Sequence, residues 1–176
     1  MDLSQVLVRQ FLDYDPETGA LTWRARDEKW FNSARAHRIW NTKNAGRPAG
    51  TLNQGYVQIA IFRRTHHAHR MIWLWMTGET PEQIDHQNHN RADNRWENLR
   101  ATTAAGNRKN QSRSRANTSG VTGVYWYKRD SKWQARIKAD GVDLHLGYFA
   151  DKTDAIAARK RAEAKFGFHE NHGSAQ

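Results

Sequence analysis

Residues 84–100 read IDHQNHNRADNRWENLR, gathering seven Asp, Glu or Asn, two His and three Arg in seventeen positions. Asp85 and His86 are adjacent, Asn98 follows Asp85 by 13 residues, and Asn107 follows Asn98 by nine. Carboxylate and amide oxygens are ligands for hard divalent ions, imidazole takes up a proton near neutral pH, and Arg clamps phosphate. An Asp–His pair alone is most often an exposed turn, and Asn-rich loops commonly cap helices. The extended pattern, with DNR, NLR and the late Asn, weighs against that plain reading.

The rest of the chain fits an anionic partner. Its 176 residues carry 28 Lys or Arg against 18 Asp or Glu, a formal charge of +10 and a pI near 10.2. A polyanion such as nucleic acid is the first candidate. With no Cys, disulfides and thiolate zinc sites are excluded, so an oxygen-ligated ion, magnesium first and manganese second, is expected. No window approaches the roughly 18 apolar residues of a membrane span, and the start, MDLSQVLVRQFLDYD, lacks the pattern of a secretion signal. An intracellular, cytoplasmic protein is expected, with no membrane partner and no small-molecule cofactor.

Around the opening stretch, periodicity suggests the elements. Leu3, Val6, Leu7 and Phe11 recur at helical spacing, and DYDPETG supplies a turn before the strand-like ALTWRA. NTKNAGRPAG (41–50) reads as a loop. In YVQIAIF, Val57, Ile59 and Ile61 alternate with Tyr56, Gln58 and Ala60, a half-buried strand. HRMIWLWMTG places His69, Ile72, Trp73 and Met76 on one helical face and stops at Gly78. From Leu99 the chain reads as the end of a short helix running into a basic linker. Three short strand patterns and an alanine-faced helix (Ala155, Ala158, Ala162, Phe166) follow, ending at Gly167. The eight Trp read as core and sheet-packing residues rather than base-stacking ones.

The pattern of Asp85, His86, Asn98 and Asn107, with its DNR and NLR, resembles the HNH endonucleases, in the variant where Asn replaces the last His. The resemblance implies two strands and a helix around one divalent ion. It implies that Asp85 and Asn107 hold the ion, that His86 is the general base, and that Asn98 braces the loop and orients the His. Arg91, Arg95, Arg100 and Arg108 are close enough in sequence to clamp flanking phosphates. His69-Arg70 matches a His-Arg pair that opens the preceding helix in the resembling phage proteins. A separate metal position at His66, His67 and His69 is the minor alternative.

Residues 119–168 resemble the DNA-binding domain of plant ethylene-response factors, the Apetala-two type, through GV at Gly123-Val124, KWQARI from Lys132, LGYF from Leu146 and the Ala-rich helix. Strand alternation would put Tyr125, Tyr127, Gln134, Arg136, Lys138 and His145 on one face, which suits a major groove. The bland alternative is a solvated basic face. Tyr125 and Tyr127 stand where the plant domains usually carry arginines, so their base preference is not carried over.

The expected fold class is α+β: an N-terminal HNH ββα-metal nuclease domain followed by a three-stranded antiparallel sheet packed on one helix. The expected layout is 1–110 with the nuclease motif at about 66–110, a basic linker at 111–118, the sheet domain at 119–170 and a tail at 171–176. The YDPETGALTW element also looks like the start of phage-type proteins with this two-part layout. The implied function is a homing-type HNH endonuclease, monomer or dimer, cutting one or both strands of double-stranded DNA. The rival is a non-catalytic, sequence-specific DNA-binding regulator. An RNA-binding module with metal-stabilised loops is a third reading, which nothing in the sequence demands.

Overall fold

The computed structural model describes residues 3–174; the last two residues of the expected 171–176 tail lie outside them. The chain divides into two compact units, Met1–Ala101 and Thr102–Gln176.

In the first unit, α1 (Gln5–Phe11) starts at Ser4, whose hydroxyl accepts the Leu7 N–H at 3.3 Å. Leu7, Val8 and Phe11 enter the core. The chain passes straight into β1 (Leu12–Tyr14), antiparallel to β2 (Leu21–Trp23) in the register Leu12↔Trp23. Asp15 closes the turn between them by accepting the Glu17 N–H at 2.9 Å and the Thr18 hydroxyl at 2.7 Å.

The segment read as a loop at 41–50 is corrected in its first part, because α2 (Ala34–Asn44) runs through it. This helix has little apolar stripe for periodicity to detect, and it docks through polar groups instead. Asn41 Oδ1 accepts the Arg26 N–H and Asn41 Nδ2 donates to the Arg26 carbonyl, both at 2.9 Å. His37 Nε2 donates to the same carbonyl at 2.9 Å. The Arg26 guanidinium lies over the rings of Trp40, Phe11 and Trp23 at 4.1, 4.6 and 4.8 Å, tying α2 to the core.

A meander of β3 (Thr51–Asn53), β4 (Tyr56–Ile61) and β5 (Arg64–His67) follows. Its first turn has positive φ at both Gln54 (49°) and Gly55 (82°), the hairpin geometry whose twist matches that of the strands. Ile59 and Ile61 point into the core as their alternation requires. From β5 the chain turns directly into α3 (Ala68–Thr77), which ends at Gly78 in the left-handed conformation. Helix α3 buries Met71 and Leu74 as well as Ile72 and His69, whereas Trp73 and Met76 are half-buried, so its core face is rotated from the expected one. Next, β6 (Gln83–His86) and β7 (Leu99–Thr102) pair as a two-stranded ribbon. Residues 99–102 are thus strand, not the end of a helix as the sequence suggested.

In the second unit, α4 (Ala104–Arg108) is capped by the Thr103 hydroxyl. β8 (Val124–Tyr127), β9 (Lys132–Ala139) and β10 (Val142–Phe149) form an antiparallel sheet in the order β10-β9-β8, and α5 (Lys152–Lys165) packs on it. Ala155 and Ala162 are buried there, as are Arg159 and Glu163. Arg159 Nε donates to Glu163 Oε1 at 2.8 Å, Nη1 to the Arg136 carbonyl at 2.5 Å, and Nη2 lies 3.1 Å from His172 Nε2. The 111–118 stretch is tied to the C-terminal residues by backbone bonds, from Gly173 N–H to the Gln111 carbonyl and from Arg113 N–H to the Ser174 carbonyl.

Among the described residues, no helix is long and apolar enough to cross a membrane. Ile72 is fully buried between α1 and the meander. Ile72→Ala is expected to cost about 2 to 5 kcal/mol of unfolding free energy, read from the denaturant midpoint at unchanged slope.

Candidate functional site

The ribbon of β6 and β7 holds Asp85 and His86 as a buried pair, 9% and 5% exposed. The Gln87 N–H donates to the Asn98 carbonyl at 2.9 Å, closing the base of the intervening loop. Asn98 braces that loop from within: its Nδ2 donates to the Asp93 carbonyl at 2.7 Å, and its Oδ1 accepts the Asn88 N–H at 3.0 Å.

The side chain set against the imidazole is one the sequence reading missed. Asn94, 3% exposed, places Oδ1 3.3 Å from His86 Nε2, while its Nδ2 donates to the Ala92 carbonyl at 3.3 Å. With Oδ1 as acceptor, Nε2 carries the imidazole proton and Nδ1 keeps the lone pair, the form a proton acceptor needs. The DNR triplet was the available signal.

The first hairpin buttresses this loop. The Tyr14 hydroxyl donates to the Asn94 carbonyl at 2.8 Å, and the Trp96 N–H donates to the Pro16 carbonyl at 3.0 Å. Burial raises the Tyr14 pKa and keeps its donor proton in place. Gly19, with φ 75°, sits so close that a Cβ there would meet the Arg95 nitrogen at 2.5 Å, so only glycine allows the hairpin to approach.

The four candidate arginines separate. Arg95 holds Asp93 at 3.0 and 2.7 Å and Glu97 at 2.7 Å, so it supports the loop rather than reaching outward. Its hydrogen bond pushes the Asp93 pKa down to about 2. Arg91 lies over the Tyr56 ring at 5.0 Å. Arg100 Nη2 donates to Asp85 Oδ2 at 2.8 Å, and its buried Nε has no hydrogen-bond partner. The Arg100 side chain is 35% exposed, so a guanidinium held beside the Asp–His pair is suited to an incoming phosphate oxygen. Arg108 and Asn107 lie on α4 in the second unit, Arg108 exposed and Asn107 half-buried.

Two further imidazoles gather beside the pair. The His67 and His69 rings stack at 5.3 Å, and His69 meets His86 edge-on at 5.0 Å. Tyr56 lies 4.8 Å from His67. Burial, helped by the neighbouring His86, His67 and Arg70, lowers the His69 pKa to about 3. Burial also lowers that of His86, against the opposing pull of Asn94 and Asp85, so both rings are neutral at pH 7. Among the described residues, no group of three His, Asp or Glu is placed to hold a metal ion, and the minor metal position at His66, His67 and His69 is not formed.

In the second unit, the six expected donors do not form an open row. Tyr125, Lys138 and His145 are exposed and Tyr127 is half-buried. Gln134 is 8% exposed and corrects the expectation: its Nε2 faces His145 Nδ1 at 3.0 Å and the Tyr148 hydroxyl at 3.3 Å, covered by cross-strand neighbours. Arg136 is forked onto Asp143 at 3.1 and 2.5 Å and also reaches the Tyr125 hydroxyl. Trp126, one of the eight Trp read as core and sheet-packing residues, is 45% exposed on the edge strand β8, where it packs edge-on against Trp133. Arg108, Lys109, Tyr125, Arg136 and Lys138 contribute to the lining of a cleft of about 870 Å³.

Residues 66–109 match a family model described as HNH endonuclease, a segment that contains Asp85, His86, Asn94, Asn98, Arg100 and Asn107. The chain is also similar to Protein 3.8 of Escherichia phage T7, with 29% identity over 82 residues that span 46% of this chain and 68% of the phage protein. No solved structure matches the chain significantly.

The buried neutral histidines make stability pH-dependent. The folded-state pKa of His69 is depressed below its unfolded value, so its contribution is intact above about 6.5 and is lost as pH falls toward 3. Unfolding free energy is expected to fall by on the order of 2 kcal/mol from pH 7 to 5, and His69→Gln should flatten that slope in a pH series of melts.

Proposed function

We propose that this chain is a metal-dependent DNA endonuclease of the HNH type, cutting phosphodiesters of double-stranded DNA at the β6–β7 ribbon. The supporting observation is the buried Asp85–His86 pair, lying within the segment that matches the HNH endonuclease model.

His86 takes the proton from the attacking water. It is neutral at pH 7, the state a base needs, and the Asn94 amide holds its ring. The part-exposed Arg100 guanidinium meets a non-bridging phosphoryl oxygen, and Arg91 or Arg108 can hold flanking phosphates. Asp85 and Asn107 fit a hard cation by donor type, because a carboxylate offers up to four acceptor positions and an amide oxygen adds one. Magnesium is the ion of choice, with manganese able to replace it. When bound, it would neutralise phosphoryl charge and stabilise the leaving 3′-oxygen. Arg100 shares the Asp85 carboxylate, so the ion should bind weakly until phosphate oxygens join it.

One such site cuts one strand per engagement, so a monomer nicks and a dimer can break both strands. The second unit would then place the cut: its sheet, like that of the ethylene-response-factor domains, presents Tyr125, Lys138 and His145 outward to a DNA groove. This two-part layout fits a homing-type role.

Purified protein with supercoiled plasmid and magnesium is expected to yield open-circular or linear DNA, and EDTA should stop it. His86→Ala should lower the rate at least about 100-fold with DNA affinity retained. Clear gel retardation with uncut DNA in every metal would instead favour the binding regulator. Asn94→Ala is expected to lower kcat about 10- to 100-fold with little change in KM, the pattern of a misplaced base. An Asn94→Ala protein with wild-type kcat would remove Asn94 from the mechanism.

A further inference from the structure

Helix α2 is left unexplained by the cutting site. It lies within a run, between Glu28 and Glu79, that contains eight Lys or Arg and no Asp or Glu, while the whole chain has a net charge of +10. Most of the excess charge is therefore concentrated in one stretch of the first unit. Its docked face is spoken for: His37 and Asn41 bond the Arg26 backbone, and Trp40 stacks under the Arg26 guanidinium. The opposite face carries Arg35, Arg38, Ile39, Thr42 and Lys43, all exposed and recurring at helical spacing. Ile39 is 57% exposed, an apolar side chain set in a basic stripe.

We infer that the exposed face of α2 is a DNA-docking surface, in which Arg35, Arg38 and Lys43 meet backbone phosphates and Ile39 faces the major groove. The helix has 11 residues, so it is about 16 Å long, and a major groove about 12 Å wide admits a helix. An acid-free stripe complements the phosphate backbone without internal pairing, and an exposed aliphatic side chain suits a thymine methyl group. The docking of α2 through Arg26 fixes the stripe in place, so little ordering cost is left for binding. This inference rests on the reading of the protein as one that acts on DNA, and it adds a second contact surface outside the β6–β7 ribbon.

The test compares the full-length protein with the triple variant R35Q/R38Q/K43Q on a fluorescent duplex in EDTA, across about 50 to 200 mM salt. Removing three phosphate contacts is expected to reduce the slope of log affinity against log salt by about 2 to 3, with at least about tenfold weaker binding near 0.1 M. Circular dichroism checks that the variant is folded. The chain has no Cys, so Thr42→Cys carrying an azidophenacyl group gives an independent reading: it should photo-crosslink to the duplex. Unchanged affinity and slope in the folded triple variant, or no crosslink from Thr42→Cys in a protein that retards DNA, would overturn the α2 inference alone. Wild-type protein that fails to bind duplex at low salt would overturn the DNA reading and this inference with it. Binding to anionic phosphatidylglycerol vesicles that is lost in the variant, with duplex affinity intact, would assign the stripe to a lipid surface and overturn the inference.

Discussion

The arrangement of the proposed cutting site depends on the contacts of Asn94. Its backbone carbonyl is held by the Tyr14 hydroxyl, its amide nitrogen by the Ala92 carbonyl, and its amide oxygen faces His86. Each contact constrains the next. A buried amide has few ways to satisfy both ends, so anchoring the backbone and the nitrogen leaves the oxygen one orientation, and that orientation sets the imidazole tautomer. A contact from Tyr14, 80 residues away in sequence, thereby reaches the ring that would accept a proton.

Some of this was legible in the residues. The Asp85–His86 pair and the stop of α3 at Gly78 follow from residue type and spacing, the latter because a glycine ends a helix, while the brace at Asn98 came from the resemblance to the HNH endonucleases. The contact of Asn94 with His86 was not legible, since Asn88, Asn90, Asn94 and Asn98 share one loop and only packing decides which faces the ring. The same holds for Arg95. Its spacing to the other arginines suggested a phosphate clamp, yet the nearby Asp93 and Glu97 claim it. Helix α2 escaped detection because its docking is polar and aromatic, and hydrophobic periodicity is blind to that.

The second unit shows a related effect. Alternation along β8 to β10 separates an inner from an outer face, but it says nothing about how outer residues pair across strands. Gln134 is covered by His145 and Tyr148, and Arg136 is paired with Asp143 and the Tyr125 hydroxyl, so four of the six residues in the nominal row are already engaged. Under the sheet, the Arg159–Glu163 pair is buried beside the apolar contact of Ala155 and Ala162 that an alanine-faced helix suggests. A buried pair of this kind contributes little net stability, yet it penalises any arrangement that leaves one charge alone.

The hairpin that carries Tyr14, Pro16 and Gly19 also bears on how the segment matching the HNH endonuclease model can be moved between proteins. The segment matching the HNH endonuclease model begins at residue 66, whereas the groups that press on the Asn94–Trp96 stretch stand at 14, 16 and 19. Excised at the borders of that match, the ribbon would lose its external scaffold, and its loop would sample several conformations. The loop and the groups that support it are accordingly discontinuous in sequence. A recombination event that transfers only that segment would carry the Asp85–His86 pair without the contacts that hold its loop, whereas one that includes α1 and the hairpin would carry both.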